Sequence, residues 1–229
     1  MQILSHRGWW RSPEEKNSAV AMQRAFAAGF GVETDVRDCD GALVISHDMP
    51  RTRQGIPFFT FDDFLALYTR IGAPSTLALN IKSDGLVEPL REALAAHGVT
   101  RYFVFDMSIP DTRSYLSHGL TVFTRWSEYE PGSRLDEAAS GFWLDAFEDA
   151  FVEPRAILSG VDGGKKVAIV SPELHHKPHL DAWRIWRHTF ETMSPAAREL
   201  IFLCTDLPGD ANVFFNAVAL PSSGAYQAR

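Results

Sequence analysis

Cysteine is scarce in this sequence. Its 229 residues include two cysteines, Cys39 and Cys204, which lie far apart along the chain. Two isolated thiols do not make a disulfide framework or a zinc site, so we expect both to be reduced. The first residues also lack the basic-then-apolar pattern of a signal peptide. The predicted location is therefore the cytoplasm.

Long apolar runs and an excess of positive charge are also missing. No segment approaches the roughly 20 apolar residues that cross a bilayer, so we expect no stable membrane association. Asp and Glu total 29 against 22 Lys and Arg, a net charge of −7. Nucleic-acid binding needs basic surface that displaces counterions, so we predict no nucleic-acid partner. An anionic substrate would need local positive charge or a metal ion.

The sequence does contain enough apolar material for a full hydrophobic core. Hydrophobic residues make up 45% of the chain, and no internal repeat, low-complexity tract or linker is visible. The length suits one large domain or two small ones, and we predict a single domain over residues 1–229. The tail after Pro221 is expected to be loosely held. The oligomeric state is left open.

Segments with strand and helix patterns alternate almost from end to end. Asn17 is predicted to cap the first helix, 17–28, and Thr60 the second, 60–68. A hairpin-like extension at 42–46 follows the second strand. The pattern predicts a (β/α)₈ barrel, with a doubly wound open sheet as the alternative. The eight predicted strands are 2–5, 32–37, 76–82, 102–106, 121–124, 142–146, 166–170 and 201–204.

The placement of polar residues favours the barrel. One ionisable residue stands at or just beyond the carboxyl end of each predicted strand. In a barrel those ends form one rim around one pocket, whereas in an open sheet they would lie along an edge. The eight rim residues are His6, Asp35, Lys82, Asp106, Arg125, Asp145, Glu173 and Asp206.

Two carboxylates alternate along the second strand. Glu33 and Asp35 point to the same face, because side chains alternate along a strand. Oxygen ligands on one face suit a hard cation such as Mg²⁺ or Ca²⁺. The alternative is an ion pair with a neighbouring arginine, Arg7 or Arg37.

Two histidines stand out because each ends a strand-like run beside a charged residue. His6 precedes Arg7, and His47 precedes Asp48. An imidazole can donate or accept a proton near neutral pH, so the two are candidates for general acid and base. A second histidine group follows the seventh strand and is expected to lie in a solvated loop: His175, His176 and His179.

Ordered motifs in the N-terminal third resemble those of the glycerophosphodiester phosphodiesterase family. They include Ser5-His6-Arg7-Gly8, Glu33-Thr34-Asp35-Val36 and His47-Asp48. Thr205-Asp206-Leu207-Pro208 resembles the family's closing motif after its eighth strand. The resemblance implies a TIM-barrel enzyme that hydrolyses a small phosphodiester with the help of a divalent cation, Mg²⁺ or Ca²⁺.

The resemblance also implies roles for individual residues. His6, His47 and Arg7 would be catalytic, and Glu33, Asp35 and Asn80 would hold the metal ion. The expected substrate-binding residues stand at later strand ends: Lys82, Arg125, Trp143 and Glu173.

Two departures from the family pattern are visible. Many members carry a small insertion after the His-Asp motif, whereas this chain has a short loop between His47-Asp48 and Thr60. The family commonly has Glu-x-Lys in the third strand, and this chain has Asn80-Ile81-Lys82. An amide oxygen can ligate a hard cation but brings no charge.

Two alternative functions stay open at this point. One is a related lyase of the sphingomyelinase D type, which an exposed apolar loop such as Phe58-Phe59 would favour. The other is a degenerate barrel that binds a phosphorylated ligand without turnover, a hypothesis supported by Asn80 alone.

Overall fold

A computed structural model of the chain describes residues 1–50, 58–72 and 75–216. The strands are β1 (Gln2–His6), β2 (Gly31–Cys39), β3 (Ala42–Ile45), β4 (Leu77–Ile81), β5 (Tyr102–Phe105), β6 (Phe123–Trp126), β7 (Gly141–Leu144), β8 (Lys166–Val170) and β9 (Ile201–Thr205). The helices are α1 (Ala19–Ala27), α2 (Phe61–Ile71), α3 (Val87–Ala96), α4 (Ile109–Ser117), α5 (Pro154–Asp162), α6 (Leu180–Glu191), α7 (Pro195–Glu199) and α8 (Pro208–Asn216).

Eight parallel strands form the predicted barrel. Their order is β5-β4-β2-β1-β9-β8-β7-β6, and β3 lies off this path, paired with β2. The circle closes where a parallel bridge joins Val104 to Val122, and the Val104 N–H donates to the Thr121 carbonyl at 2.9 Å. The (β/α)₈ barrel is thereby confirmed, and the open sheet is wrong.

The predicted hairpin extension is confirmed as the antiparallel pair of β2 and β3. Asp40 and Gly41 form its turn with φ of 49° and 82°. Two successive residues with positive φ match the twist of a two-residue hairpin turn. The hairpin raises His47 above the barrel mouth, immediately after Ile45 and Ser46.

Large aromatic side chains fill the barrel interior. Phe103 stacks on Phe123 at 3.8 Å between ring centroids, and Phe105 stacks on Trp143 at 3.9 Å. Phe202 packs against both rings of the first pair. Stacked aromatic pairs add to the free energy of burial, so the barrel is a solid core and only its mouth can take a ligand.

Local predictions were partly wrong. Ser18, not Asn17, caps α1, because its hydroxyl accepts the Ala21 N–H, while Asn17 has a left-handed φ of 59°. The predicted Thr60 cap of α2 is confirmed by the hydrogen bond from the Asp63 N–H. A 3-10 turn, Arg134–Asp136, follows β6, and α7 was not predicted.

Some expectations fall on residues outside those described. The short loop after His47-Asp48 includes residues 51–57, and the tail after Pro221 belongs to 217–229. In the described part of the chain, no helix combines the length and apolar character needed to cross a membrane.

Candidate active site

A cavity of about 270 Å³ opens at the carboxyl ends of the barrel strands. Trp143 and Phe105, stacked in the core, form part of its wall. Most of the residues predicted from the sequence meet here, although they come from strands as far apart along the chain as β1 and β7. Eight of the ten predicted site residues line the cavity: His6, Arg7, Glu33, His47, Asn80, Lys82, Arg125 and Trp143.

His6 stands at the end of β1 and is held by a carboxylate from the last strand. Its Nδ1 lies 2.6 Å from Asp206 Oδ1. Burial alone would raise the pKa of Asp206, but the hydrogen bond from His6 and the charges of His6 and Lys16 outweigh it and lower that pKa. An ionised carboxylate can only accept, so Nδ1 carries the proton. The other nitrogen, Nε2, is left for the cavity, 3.9 Å from Glu33 Oε2.

His47 forms a second histidine–carboxylate pair. Its Nδ1 lies 2.7 Å from Asp48 Oδ1, and the Arg37 Nε donates to the His47 carbonyl at 3.1 Å. The side chain of His47 is 47% exposed, whereas that of His6 is 14% exposed. Both imidazoles therefore present Nε2, one from a buried position and one from the rim.

Asp35 lies beneath the cavity and is fully buried. Its Oδ2 accepts a hydrogen bond from Asn17 Nδ2 at 2.8 Å and lies 3.0 Å from Arg7 Nε. Asn17 also accepts the Thr34 hydroxyl at 2.8 Å. The left-handed backbone of Asn17 thus turns its amide into the barrel, where it orients the metal-ligand candidate.

Two buried oxygens beside the cavity have no hydrogen-bond partner among the described residues. They are Asp35 Oδ1 and Asn80 Oδ1, and the two residues stand opposite each other in the pairing of β2 with β4. The Lys82 Nζ lies 3.4 Å from Asp35 Oδ1 without hydrogen-bond geometry. Buried acceptors without a partner are rare and costly, so this pair of oxygens is suited to a bound cation.

The residues at this point fit a hard divalent cation. Glu33, Asp35 and Asn80 offer carboxylate and amide oxygens from neighbouring strands, the ligand chemistry of Mg²⁺ and Ca²⁺. Among the described residues, no group of three or more His, Cys, Asp and Glu could hold a metal ion. The amide oxygen of Asn80 lies on the strand that pairs with β2, opposite Asp35.

The pKa of the Glu33 carboxyl group differs strongly from that of an exposed glutamate. Burial, followed by the charge of Asp35, raises its pKa to about 7, although His6, Arg7 and Lys82 oppose the rise. A bound cation would favour the ionised form.

Three cations, Arg7, Lys82 and Arg125, line the cavity together with three carboxylates, Glu33, Asp106 and Asp145. Lys82 Nζ lies 3.6 Å from Asp106 Oδ2, and Arg125 pairs with both Asp106 and Glu130. Together with Arg7, these cations offset the repulsion that an anionic ligand would otherwise meet.

Glu173 does not line the cavity. It accepts hydrogen bonds from the Thr205 hydroxyl, from the Ser171 hydroxyl and from the Asp206 N–H at 3.2 Å. Glu173 thus holds the backbone at Asp206, the partner of His6.

Sequence reasoning missed His175. The predicted solvated loop is wrong for this residue, because His175 lines the cavity and its Nε2 lies 2.7 Å from Asp145 Oδ1. The sequence places Asp145 and Asp206 at the rim, but no spacing along the chain connects Asp145 to His175 or Asp206 to His6.

No family model matches the sequence, and no curated protein matches it. The fold does match solved structures. A phosphodiesterase from Oleispira antarctica, solved with the product sn-glycerol-3-phosphate, is 16% identical with a TM-score of 0.67, covering 95% of this chain and 97% of the other. A glycerophosphodiester phosphodiesterase from Agrobacterium tumefaciens is 16% identical with a TM-score of 0.63, covering 95% and 100%.

A third structure gives the same result. A glycerophosphodiester phosphodiesterase from Parabacteroides distasonis is 16% identical with a TM-score of 0.63, covering 94% of this chain and 97% of the other. At this identity the likeness concerns the arrangement of the chain. The protein is a TIM barrel of the kind found in glycerophosphodiester phosphodiesterases.

Proposed function

We propose that this protein hydrolyses a small phosphodiester of the glycerophosphodiester type by acid–base catalysis. One observation carries the proposal: His6 and His47, each held at Nδ1 by a carboxylate, line the same cavity. Cleavage of a phosphodiester needs one group to take a proton from the nucleophile and another to protonate the leaving alkoxide. Two imidazoles whose Nε2 atoms make no hydrogen bond to any described residue would supply both.

The cations of the cavity suit the charge of the reaction. A phosphodiester carries one negative charge, and charge builds on its oxygens in the transition state. Arg7, Lys82 and Arg125 line the cavity before the substrate arrives. Preorganised cations stabilise the transition state more than the ground state, and this difference accelerates the reaction.

A divalent cation, Mg²⁺ or Ca²⁺, is part of the proposal. Glu33, Asp35 and Asn80 would hold it, as the unpartnered oxygens of the latter two support. When bound, the ion would act as a Lewis acid on a phosphoryl oxygen. Trp143, at the wall, would contact the substituent of the substrate, and Glu173 would act by holding Asp206.

The substrate class and the cellular location are also part of the proposal. The Oleispira antarctica enzyme was solved with sn-glycerol-3-phosphate, which supports a glycerophosphodiester-like substrate for this barrel. Cys39 and Cys204 are free thiols, in keeping with a reducing compartment, and we propose the cytoplasm.

The alternative functions have less support. Phe58 and Phe59 are both half-buried, and Phe59 packs against the core beside Phe64 rather than forming an exposed lipid-binding loop. A barrel without turnover would have no need of two oriented histidine–carboxylate pairs.

A panel of phosphodiesters tests the proposal. Protein stripped with a chelator would be assayed on glycerophosphodiesters with Mg²⁺, with Ca²⁺ and without metal, using the matching phosphomonoesters as controls. We expect diester cleavage that requires an added cation. A cyclic phosphate product would favour the lyase, and binding without turnover at any cation concentration would favour the degenerate barrel.

A further inference from the structure

A second cavity of about 270 Å³ lies beside the active site. It occupies the space between β6, α4 and the loop that follows β6, and we call it the seam pocket. Arg125 and Asp106 line both cavities, so the two adjoin at this ion pair. Its other walls include Met107, Ile109, Thr112, Thr124, Tyr129 and Leu135.

The seam pocket exists because the barrel wall is weakest at this place. Among the described residues, β5 and β6 are joined by the single bridge between Val104 and Val122, whereas every other neighbouring pair in the barrel has an extended ladder. Asp106, the residue after β5, has a left-handed φ of 75°, and its carboxylate pairs with Arg125 of β6.

The seam pocket differs chemically from the active site. Away from the ion pairs of Arg125 with Asp106 and Glu130, its walls carry apolar groups and uncharged hydroxyls. A phosphate group would find no further cation there. An uncharged and largely apolar part of a ligand would leave water and contact the apolar walls of the seam pocket, which favours its binding.

One hydroxyl in the wall of the seam pocket has no hydrogen-bond partner within the part of the chain that the structure describes. It belongs to Thr124, which is 8% exposed, whereas the hydroxyl of Thr112 donates to the Ser108 carbonyl at 2.9 Å. A buried hydroxyl without a partner costs free energy that a ligand oxygen could recover.

We propose that the seam pocket binds one of the two ester substituents of the phosphodiester substrate, with the phosphate at Arg125. The ligand class is a small, uncharged, mostly apolar alcohol with an oxygen that hydrogen-bonds Thr124. The volume lies just below the usual 300–1,000 Å³ of small-molecule sites, which suits a short substituent rather than a long acyl chain. The inference rests on the proposed function, because it names the substrate of that same site.

The inference is tested by comparing two substrates that differ only in one ester substituent, in the wild type and in variants with a substitution at an exposed position. The substrates are sn-glycerol-3-phosphate esterified with methanol or with butanol. Ile109→Trp would narrow the pocket, and Val213→Trp is the control on α8, since both residues are 68% exposed and tolerate substitution without loss of core packing. We expect the wild type to prefer the butyl ester by about tenfold in kcat/KM.

Ile109→Trp should remove most of that preference, while Val213→Trp should leave both kcat/KM values and their ratio unchanged. Thr124→Val should lower kcat/KM for a hydroxybutyl ester by about fivefold relative to the butyl ester. Equal kcat/KM values for methyl and butyl esters in the wild type would overturn the inference. So would an Ile109→Trp effect of the same size on both.

Binding separates this inference from the proposed function. Methyl phosphate and butyl phosphate would be titrated calorimetrically into the wild type and Ile109→Trp. Suppose that no diester is hydrolysed, but that butyl phosphate binds about tenfold more tightly than methyl phosphate to the wild type and not to Ile109→Trp. The proposed function then fails, and the inference about the seam pocket is supported. Equal affinities for the two monoesters would contradict the pocket whatever the activity.

Discussion

The two sides of the cavity mouth are built differently. On the side of β1, β2 and β4, strand register sets the groups in place: His6 stands opposite Glu33, and Asp35 opposite Asn80. On the side of β6, β7 and β8, aromatic rings and side-chain ion pairs dominate, such as Arg125 with Asp106 and Asp145 with His175. We assign proton transfer and cation binding to the first side and substrate fit to the second.

Histidine substitutions on the two sides should give the largest difference. His6→Ala and His47→Ala should each lower kcat by about 10²–10⁴-fold, the usual contribution of a positioned acid or base. His175→Ala on the opposite side should cost less than about tenfold. Steady-state kinetics measures the difference, and thermal melts check folding. A His175→Ala loss as large as that of His6→Ala would end the assignment of roles to the two sides.

The partner of His6 should matter next most. Asp206→Asn keeps the shape but removes the charge that holds the Nδ1 proton, so we expect kcat to fall by about 10²-fold. Asp48→Asn is the matched control, because Asp48 is exposed and water can replace it; about tenfold is expected. The measurement is kcat as a function of pH for both variants. If Asp206→Asn and Asp48→Asn lower kcat equally, the buried His6–Asp206 pair contributes no more to catalysis than the exposed pair.

The metal-ligand side can be sharpened at Asn80. Asn80→Glu adds a negative charge beside Glu33 and Asp35, so cation affinity should rise by about tenfold, and Asn80→Ala should lower it. Calorimetric titration of Mg²⁺ into chelator-treated protein measures both. If affinity does not change and activity is lost in Asn80→Glu, the amide instead donates to a substrate oxygen, since an ionised Glu can only accept.

The smallest effect concerns stability in acid. The pKa of Asp206 is lowered in the folded protein, so its stabilising contribution is present above the unfolded value near 3.8 and is lost as the pH falls through the folded pKa. At pH 7 the free energy of unfolding of the wild type should exceed that of Asp206→Asn by about 1 kcal/mol. This difference in stability should become smaller below pH 3.8. Urea denaturation of both proteins at pH 7 and pH 3 measures this difference in stability. The same difference at both pH values would contradict a stabilising contact between Asp206 and His6.

Much of the barrel and half of the site could be predicted from the residues alone. Strand and helix periods predicted all eight barrel strands, and Asp40-Gly41 predicted the hairpin turn. These features depend on neighbours along the chain, where side-chain alternation and backbone preference act directly. The motifs at His6, Glu33 and His47 indicated lining residues because strand ends of a barrel share one rim.

The tertiary structure alone decided which side chains pair. Asp206 reaches His6 because barrel closure sets β9 beside β1, and Glu173 turns to Thr205 and Asp206 rather than to the cavity. His175 meets Asp145 across neighbouring loops. An ionisable side chain at a rim has several possible partners, and the choice follows from distances and burial set by the whole barrel. Periodicity along the chain determines an element and its face, but it carries no information about those distances.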